Sequence, residues 1–271
     1  MSKNVYNVLW TGGLDSSYTM MLFSKEDIIV QPYHIKSGRR SESLELRAIQ
    51  SVLKDILEKK DTRAEIRPLI VLDQSDIPEN KEITEAYRRL NEKNGIGIQY
   101  EWLGRFSASQ GDQGFYYSSI RSRSSFSRAQ KCIEDNGDIM EYETEDGIFT
   151  QRVDPEKSNR ELNLVFGGLR FPKSYTLIKA QEVEEMKKLG FSKSIEKTWF
   201  CHQPILGKPC GFCHPCQEVI DNGLTWRMSK QALARFKSEK KGTPYILIRL
   251  SGFLTAPFER PSGGPEQNEV S

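Results

Sequence analysis

The first part of the chain alternates short apolar runs with amphipathic stretches. An apolar run over 5–10 predicts a strand that stops at a pair of glycines, and the segment 16–23 predicts a helix that begins at two serines. A second strand is predicted over 27–35, and apolar residues recur at helical spacing over 42–59. Strand, helix and strand in this order predict a parallel sheet whose crossovers are helices.

The following segments have less regular patterns. A strand is predicted over 64–72, and its continuous apolar end predicts burial on both faces. A helix is predicted over 78–90 and a loop over 95–104. The small, polar run 107–113 is interpreted as an ordinary solvent loop, with a loop that closes over a substrate as the alternative.

A basic stretch and an acidic one come next. The segment 118–131 carries four cations among serines, namely Arg121, Arg123, Arg128 and Lys131. It is interpreted either as a solvated helix face or as a source of forked contacts to a triphosphate or a carboxylate. The acidic, turn-rich segment 136–160 predicts an insertion or a flexible connection, and Cys132 just before it is expected to be a small buried residue.

Another strand is predicted over 162–166, where an apolar run ends at two glycines. A helix that ends at Gly190 is then predicted, with Ser174 or Thr176 as its cap. The predicted domains are an α/β domain over 1–195 with a variable insertion near 105–160, a cysteine lobe over 196–224 and an extension over 225–271. The extension, with a basic helix, an apolar strand and a flexible final dozen residues, is interpreted either as a partner-docking segment or as a cap on the fold.

The charge balance limits the classes of partner. Charged residues make up 28% of the 271 residues and the formal net charge is +2. Neither a broad nucleic-acid surface nor a membrane surface is therefore predicted. No apolar run approaches the length of a membrane span and no signal-peptide pattern precedes the first strand, so a cytoplasmic location is expected. A homodimer is compatible with the sequence.

The turn after the first strand predicts a phosphate site. Its sequence is Thr11-Gly12-Gly13-Leu14-Asp15-Ser16-Ser17. Glycines let the backbone approach a ligand, and the start of the following helix offers unpaired N–H groups and the positive end of its dipole. Tyr33, His34 and Ile35 end the second strand beside this turn and are expected at the nucleotide by position. For His34, an ordinary hydrogen bond is preferred to a catalytic role.

Four of the five cysteines cluster near the C-terminal part of the sequence. Cys201, Cys210, Cys213 and Cys216 follow the pattern C-x8-C-x2-C-x2-C. Four thiolates at this spacing predict a closed, structural zinc site that holds a lobe with little core of its own. An iron–sulfur cluster is the alternative, and His202 and His214 are alternative ligands.

Several motifs together resemble one family. The turn at Thr11 to Ser16 resembles the S-G-G-x-D-S loop of the PP-loop ATP pyrophosphatases, with Thr11 in place of the first serine. The other motifs resemble the 7-cyano-7-deazaguanine synthase (QueC) family of that superfamily. They are Leu169-Arg170-Phe171-Pro172, Lys179, Glu182, Thr198-Trp199-Phe200-Cys201 and Pro209-Cys210-Gly211-Phe212-Cys213. The resemblance covers about residues 5–60 and 162–224 of this sequence.

The resemblance implies a doubly wound, mostly parallel α/β sheet of the adenine nucleotide alpha hydrolase type with a small C-terminal zinc lobe. It also implies a ligase that uses ATP and Mg2+ to adenylate 7-carboxy-7-deazaguanine. Ammonia would give the amide, and a second activation would give the nitrile. The implied catalytic residues are Asp15, Ser16, Arg123 and Lys179, with 11–17 and 33–35 around the nucleotide.

The sequence also departs from this family. Tyr33-His34-Ile35-Lys36-Ser37 replaces Y-G-Q-R-H, the family's V-P-x-R-N-x-x-F has only a distant counterpart around Arg123, and its Y-P-D-C segment has none. The interpretation therefore keeps three alternatives. They are a diverged relative of an antiviral defence system that joins a deazaguanine amide to a protein amine, a tRNA-modifying PP-loop enzyme, and a nucleotide-binding module without catalysis.

Overall fold

The structure, a computed structural model, describes residues 3–111, 114–118, 128–172 and 177–240. This part of the chain is an α/β fold with a mostly parallel mixed sheet. The strands are β1 Val5–Leu9, β2 Ile29–Lys36, β3 Glu65–Ile66, β4 Ile70–Asp73, β5 Phe115–Tyr116, β6 Ile139–Glu143, β7 Phe149–Val153 and β8 Leu169–Pro172. The α-helices are α1 Leu14–Phe23, α2 Glu42–Glu58, α3 Lys81–Asn94, α4 Gln99–Ser109, α5 Arg128–Asn136, α6 Arg160–Phe166, α7 Lys179–Lys188, α8 Ser192–Ile195, α9 His214–Asp221 and α10 Lys230–Lys240.

The order of the strands creates a crevice beside β1. The sheet runs β3-β2-β1-β5-β8-β7-β6, and β4 continues the β3 edge against β2. The first five strands and β8 are parallel, whereas β7 is antiparallel to both β8 and β6. Successive strands are added on one side of β1 and then on the other. The ends of β1 and β5 therefore flank a topological switch point, where ligands of such sheets bind.

Helices cover both faces of the sheet. Side chains alternate along β1, so this strand presents apolar residues to both faces. Tyr6, Val8 and Trp10 pack on one face with α1, α2 and α7, while Leu9 packs on the other with α3, α4 and α6. The predicted βαβ unit is thus confirmed. None of the helices in the described ranges is both long enough and apolar enough to cross a bilayer.

Two predicted elements are wrong. Residues 162–166 belong to helix α6, whose cap is the Asn159 side chain that accepts from the Leu162 N–H at 2.9 Å. A short apolar run cannot separate strand from helix, and the strand follows instead as β8. The predicted loop over 95–104 is helix α4 from Gln99 onward, and Gly104 of this helix packs closely against α6. A Cβ there would lie 2.8 Å from the Val165 carbonyl oxygen.

The predicted strand over 64–72 is divided. It forms the two short edge strands β3 and β4 on either side of Pro68, which has no N–H to donate to a sheet. Ile70 and Val71 are exposed rather than covered on both faces, because β4 lies at the sheet edge. The predicted insertion contains the hairpin of β6 and β7, which extends the sheet beyond β8.

The described part of the extension packs on the cysteine lobe. Ala232 of α10 is buried, and its carbonyl oxygen lies so near Gly211 that a Cβ on that glycine would not fit. Arg235 donates from Nε to the Cys210 carbonyl oxygen at 2.7 Å and from Nη2 to that of Pro209 at 3.1 Å. These contacts favour the capping interpretation for α10. The predicted strand over 245–250 and the final residues lie outside the described part.

Candidate functional site

The candidate site is a cleft of about 480 Å³ at the switch point. Its walls come from the loop between β1 and α1, the end of β2, helices α4, α7 and α9, and the cysteine lobe. Ligand pockets commonly have volumes of about 300–1,000 Å³. Of the residues predicted at the nucleotide or in catalysis, Thr11, Gly13, Leu14, Asp15, Ser16, Ile35 and Lys179 line this cleft.

In the loop before α1, Gly12 has the positive φ and the close backbone approach that a glycine allows. Gly12 has φ +70°, and a Cβ there would lie 2.5 Å from the Glu45 carbonyl oxygen in α2. Gly13 precedes α1, and no side chain caps this helix. The first N–H groups of a helix have no partner inside it, so this end of α1 carries unshared donors and a partial positive charge. Thr11 and Ser16 add two hydroxyl groups 3.1 Å apart.

Lys179 and Asp15, which both line the cleft, form an ion pair. The Lys179 Nζ donates to both Asp15 carboxylate oxygens, at 2.8 and 3.1 Å, and lies 3.8 Å from a Glu218 oxygen. Burial by itself lowers the pKa of Lys179, but Asp15, Glu218 and Glu182 outweigh it and the pKa is raised. The amine therefore remains charged at neutral pH. This pair joins α1 to α7, two elements 164 residues apart in sequence.

Glu182 lies one turn after Lys179 on α7 and is fully buried. Neither of its carboxyl oxygens finds a donor among the described residues. Burial raises its pKa well above the usual value, the nearby Asp15 carboxylate raises it further, and Lys179 opposes both. Burial and the Asp15 carboxylate thus favour the protonated form of Glu182, and Lys179 is the group that pairs with the charge of Asp15.

Three residues predicted at the nucleotide have other partners. Ser17 is buried and accepts from the Trp10 indole N–H at 3.1 Å. His34 makes the ordinary hydrogen bond that was preferred for it, from Nδ1 to the Trp10 carbonyl oxygen at 3.0 Å. The Tyr33 ring packs against Phe106 and Phe115. None of these three lines the cleft, and nor does Gly12, whose role is to let the loop pass close to α2.

The basic stretch is described only from Arg128 onward. Arg128 is exposed and donates to the Gly95 carbonyl oxygen at 3.2 Å, so it belongs to a solvated face. Arg123, predicted as catalytic, and Arg121 lie outside the described residues, as do Ser174 and Thr176 of the predicted helix cap. Cys132 is fully buried, as expected.

The cysteine lobe forms a wall of the cleft, which sequence reasoning did not predict. Residues 198–200, which lead into the lobe, run beside the loop between β1 and α1, because the Trp199 N–H donates to the Gly12 carbonyl oxygen at 2.8 Å. The lobe and the residues after it contribute Trp199, Phe200, His202, His214, Pro215, Glu218, Val219 and Arg227 to the lining. The sequence placed Trp199 and Phe200 in a family-like motif and His202 and His214 among the cysteines, but gave no signal that they line the cleft.

Arg227 is the cation that sequence reasoning missed. Its Nη2 donates to the Thr198 carbonyl oxygen at 2.8 Å and to the Thr198 hydroxyl at 2.5 Å. Its guanidinium carbon lies 4.8 Å from the centroid of the Phe200 ring. Burial lowers the pKa of Arg227 to about 10, against the attraction of Asp15. The side chain is thus charged at neutral pH and fixed at the cleft wall.

The four predicted metal ligands come together as a closed set. All four cysteines are buried, and their Sγ atoms lie within 4.8 Å of one another. The sulfur separations include 3.8 Å for Cys210–Cys216 and for Cys201–Cys213. A tetrahedron with Zn–S bonds of about 2.3 Å has edges of about 3.8 Å. The cluster could therefore hold a single metal ion such as zinc.

Backbone N–H groups face the same sulfurs. The Cys210 N–H lies 3.2 Å from the Cys201 sulfur, the Cys213 N–H lies 3.3 Å from that of Cys210, and the Gly211 N–H lies 3.4 Å from that of Cys216. Such donors stabilise thiolate charge, as groups around a metal's ligands commonly do. The walls of the site thus include the glycine loop before α1, the Lys179–Asp15 ion pair and the cysteine lobe. Comparison of the sequence with models of protein families and with curated proteins finds no match to either.

Proposed function

We propose that the protein is an ATP-dependent ligase that adenylates a carboxylic acid in the cleft and passes the acyl group to an amine. The acid is 7-carboxy-7-deazaguanine or a close analogue, and the fold is of the PP-loop type. The single observation that carries this proposal is the Gly12-Gly13 loop at the switch point. It presents an uncapped helix start to a cleft that also holds Asp15, Ser16 and Lys179.

The charges of the cleft suit a nucleotide. The start of α1 supplies positive potential beside the loop, where phosphate oxygens would lie, and Lys179 adds an ammonium group whose charge is shared with Asp15. Asp15 holds the Lys179 amine with two hydrogen bonds, so the cation is positioned before a ligand binds. Binding then requires little rearrangement, which is the condition under which fixed charges stabilise a transition state most.

The proposed reaction needs positioning more than a protein nucleophile. A carboxylate oxygen of the acid attacks the α-phosphorus of ATP, and the bond from that phosphorus to the pyrophosphate oxygen breaks. An amine nitrogen then forms a bond to the acyl carbon, loses a proton, and AMP leaves. Holding the two reactants together in one cleft supplies much of the rate enhancement.

Two metals fit the residues present. The Asp15 carboxylate is the type of oxygen ligand that Mg2+ accepts, and a nucleotide's own phosphates would complete such a site. Mg2+ would share the charge of the phosphates. In the cysteine lobe, the closed set of four sulfurs favours a structural zinc ion over an open, reactive metal.

The test is formation of AMP and pyrophosphate from ATP, Mg2+ and 7-carboxy-7-deazaguanine, with products identified by mass spectrometry. Asp15→Asn and Lys179→Met are expected to abolish AMP formation, because each removes one half of the partly buried pair. Lys187→Met is the matched control, since this exposed lysine on the same helix pairs with Glu184 and does not line the cleft. Normal AMP formation by Asp15→Asn would show that the loop is only a turn.

The same assay distinguishes the acceptors. Ammonia as acceptor would yield the amide and then 7-cyano-7-deazaguanine. A protein amine as acceptor would leave these products absent, with AMP formed and the mass of a polypeptide increased by that of the acyl group. No AMP with the acid in either mixture would refute the ligase proposal.

A further inference from the structure

Arg227 is held rigidly although it lies in a short connection. It ends the 3-10 turn Thr225–Arg227, beyond the last cysteine, and its Nη2 is occupied by Thr198. The Phe200 ring lies against the guanidinium group, and the Trp199 ring is stacked near Phe200 with centroids 6.2 Å apart. An arginine needs so many contacts only if its orientation matters or if its stem completes a core.

The contacts of Arg227 leave part of its hydrogen-bonding capacity unused. Among the described residues, every hydrogen bond of the Arg227 side chain is made by Nη2, and neither Nε nor Nη1 has a partner. No carboxylate among those residues lies within ion-pair distance of the group. A mostly buried guanidinium without a counter-ion is costly, because carbonyl and hydroxyl oxygens replace only part of its hydration. The cleft that this side chain lines is the direction from which an anion can reach it.

The charges of the reactants require such a group. ATP and a carboxylic acid together bring at least four negative charges, and one Mg2+ neutralises about two of them. Lys179 is already balanced by Asp15, and Arg39 is exposed. Among the described cations that line the cleft, Arg227 is the one that is both fixed and without an acidic partner.

We infer that Arg227 binds an oxyanion of the reactants through one of its N–H groups without a partner in the described part of the chain, at Nε or at Nη1. This inference deepens the proposed function and rests on it for the identity of the reactants. The oxyanion belongs either to the nucleotide phosphates or to the carboxylate of the acid. Both are bound by a guanidinium group through the same charge-assisted hydrogen bonds.

The test measures binding separately from turnover. ATP with Mg2+ and 7-carboxy-7-deazaguanine are each titrated calorimetrically into wild type, Arg227→Gln and Arg227→Lys, with the metal-loaded full-length protein. Arg235→Gln is the matched control, because Arg235 also donates to backbone carbonyl oxygens of the lobe but does not line the cleft. Thermal unfolding of each variant measures the structural contribution of each arginine.

Arg227→Gln is expected to weaken the binding of one ligand at least tenfold, about 1.4 kcal/mol, with Arg227→Lys between it and wild type. Weaker ATP binding assigns the oxyanion to the phosphates, and weaker acid binding assigns it to the carboxylate. Added guanidinium ion should restore part of the binding to Arg227→Gln, which a purely structural role would not allow. Arg235→Gln should change both affinities less than about twofold even where it lowers thermal stability.

Unchanged affinity for both ligands in Arg227→Gln overturns the inference. So does a loss that Arg235→Gln reproduces and that guanidinium ion does not restore. Failure of the proposed function has a different signature, since wild type would then bind ATP without forming AMP. In that case the ATP titration still decides the role of Arg227 at the phosphates, and unchanged ATP affinity in the variant overturns it.

Discussion

Replacement of Gly12 by alanine tests the physical reason for the glycine at the centre of the loop. Two effects act on the new Cβ. The backbone has φ +70°, a left-handed conformation that costs an L side chain about 1–2 kcal/mol. The Cβ would also lie 2.5 Å from the Glu45 carbonyl oxygen and 3.2 Å from the Ala48 Cβ. Both atoms belong to α2, whose backbone cannot move without disturbing the sheet beneath it.

The magnitude follows from adding the two effects. Overpacking of a well-filled interior costs about 1–3 kcal/mol. Gly12→Ala is therefore expected to lower the free energy of unfolding by about 2–5 kcal/mol, a large part of the 5–15 kcal/mol typical of a domain. Gly147 isolates the first effect, because it has φ +75° in the turn between β6 and β7 and nothing lies within 4 Å of its Cβ position. Gly147→Ala should cost only about 1–2 kcal/mol.

The assay is urea unfolding of the metal-loaded protein, with the free energy of unfolding obtained by linear extrapolation. Gly13→Ala serves as a second comparison, since Gly13 has φ −73° and its nearest atoms lie 3.3 and 3.6 Å away. It should retain nearly full stability. If Gly12→Ala proves no less stable than Gly147→Ala, the close approach of the loop to α2 is not a constraint and the reasoning is refuted.

Three further predictions concern charge, metal and substrate. Glu182→Gln should have the same free energy of unfolding as wild type near pH 4.5 and a larger one at pH 8, because the raised pKa of buried Glu182 makes native stability fall as pH rises above the ordinary glutamate range. Exposed Glu184→Gln is the control, and an unchanged pH dependence in Glu182→Gln would contradict the prediction. Cys213→Ser should lose about one equivalent of metal and unfold at a lower temperature. Cys132→Ser, which lies outside the cluster, should keep its metal. Metal analysis that finds no zinc in the wild-type protein would contradict a zinc site. Arg123→Ala should raise the concentration of the carboxylic acid needed for turnover at least tenfold, about 1.4 kcal/mol, while Arg128→Ala should change it little. The same substrate requirement in both variants would show that this stretch is only a charged surface.

Local sequence patterns were enough to predict β1, α1, β2, α2 and the glycine loop before α1. A strand, two glycines and a helix start are neighbours in sequence, so the loop could be predicted from residues 5–23 alone. The closed cysteine set was predictable for a related reason, since three of its ligands lie within seven residues and the fourth nine residues earlier. The errors at α4 and α6 arose where short apolar runs and glycines allow either a helix or another structure.

The sequence by itself determined the α/β class, the loop that faces the cleft and the four sulfurs that could hold a metal. Only the tertiary structure decided that the cysteine lobe lies against that loop, through the hydrogen bond from Trp199 to Gly12. It also decided that Arg227 lines the cleft, and that Glu182 is buried beside Asp15. These relations join residues more than 160 positions apart, and their burial and charge depend on how helices dock. A local sequence pattern cannot predict this burial, because the desolvation of a side chain depends on all the residues that pack around it.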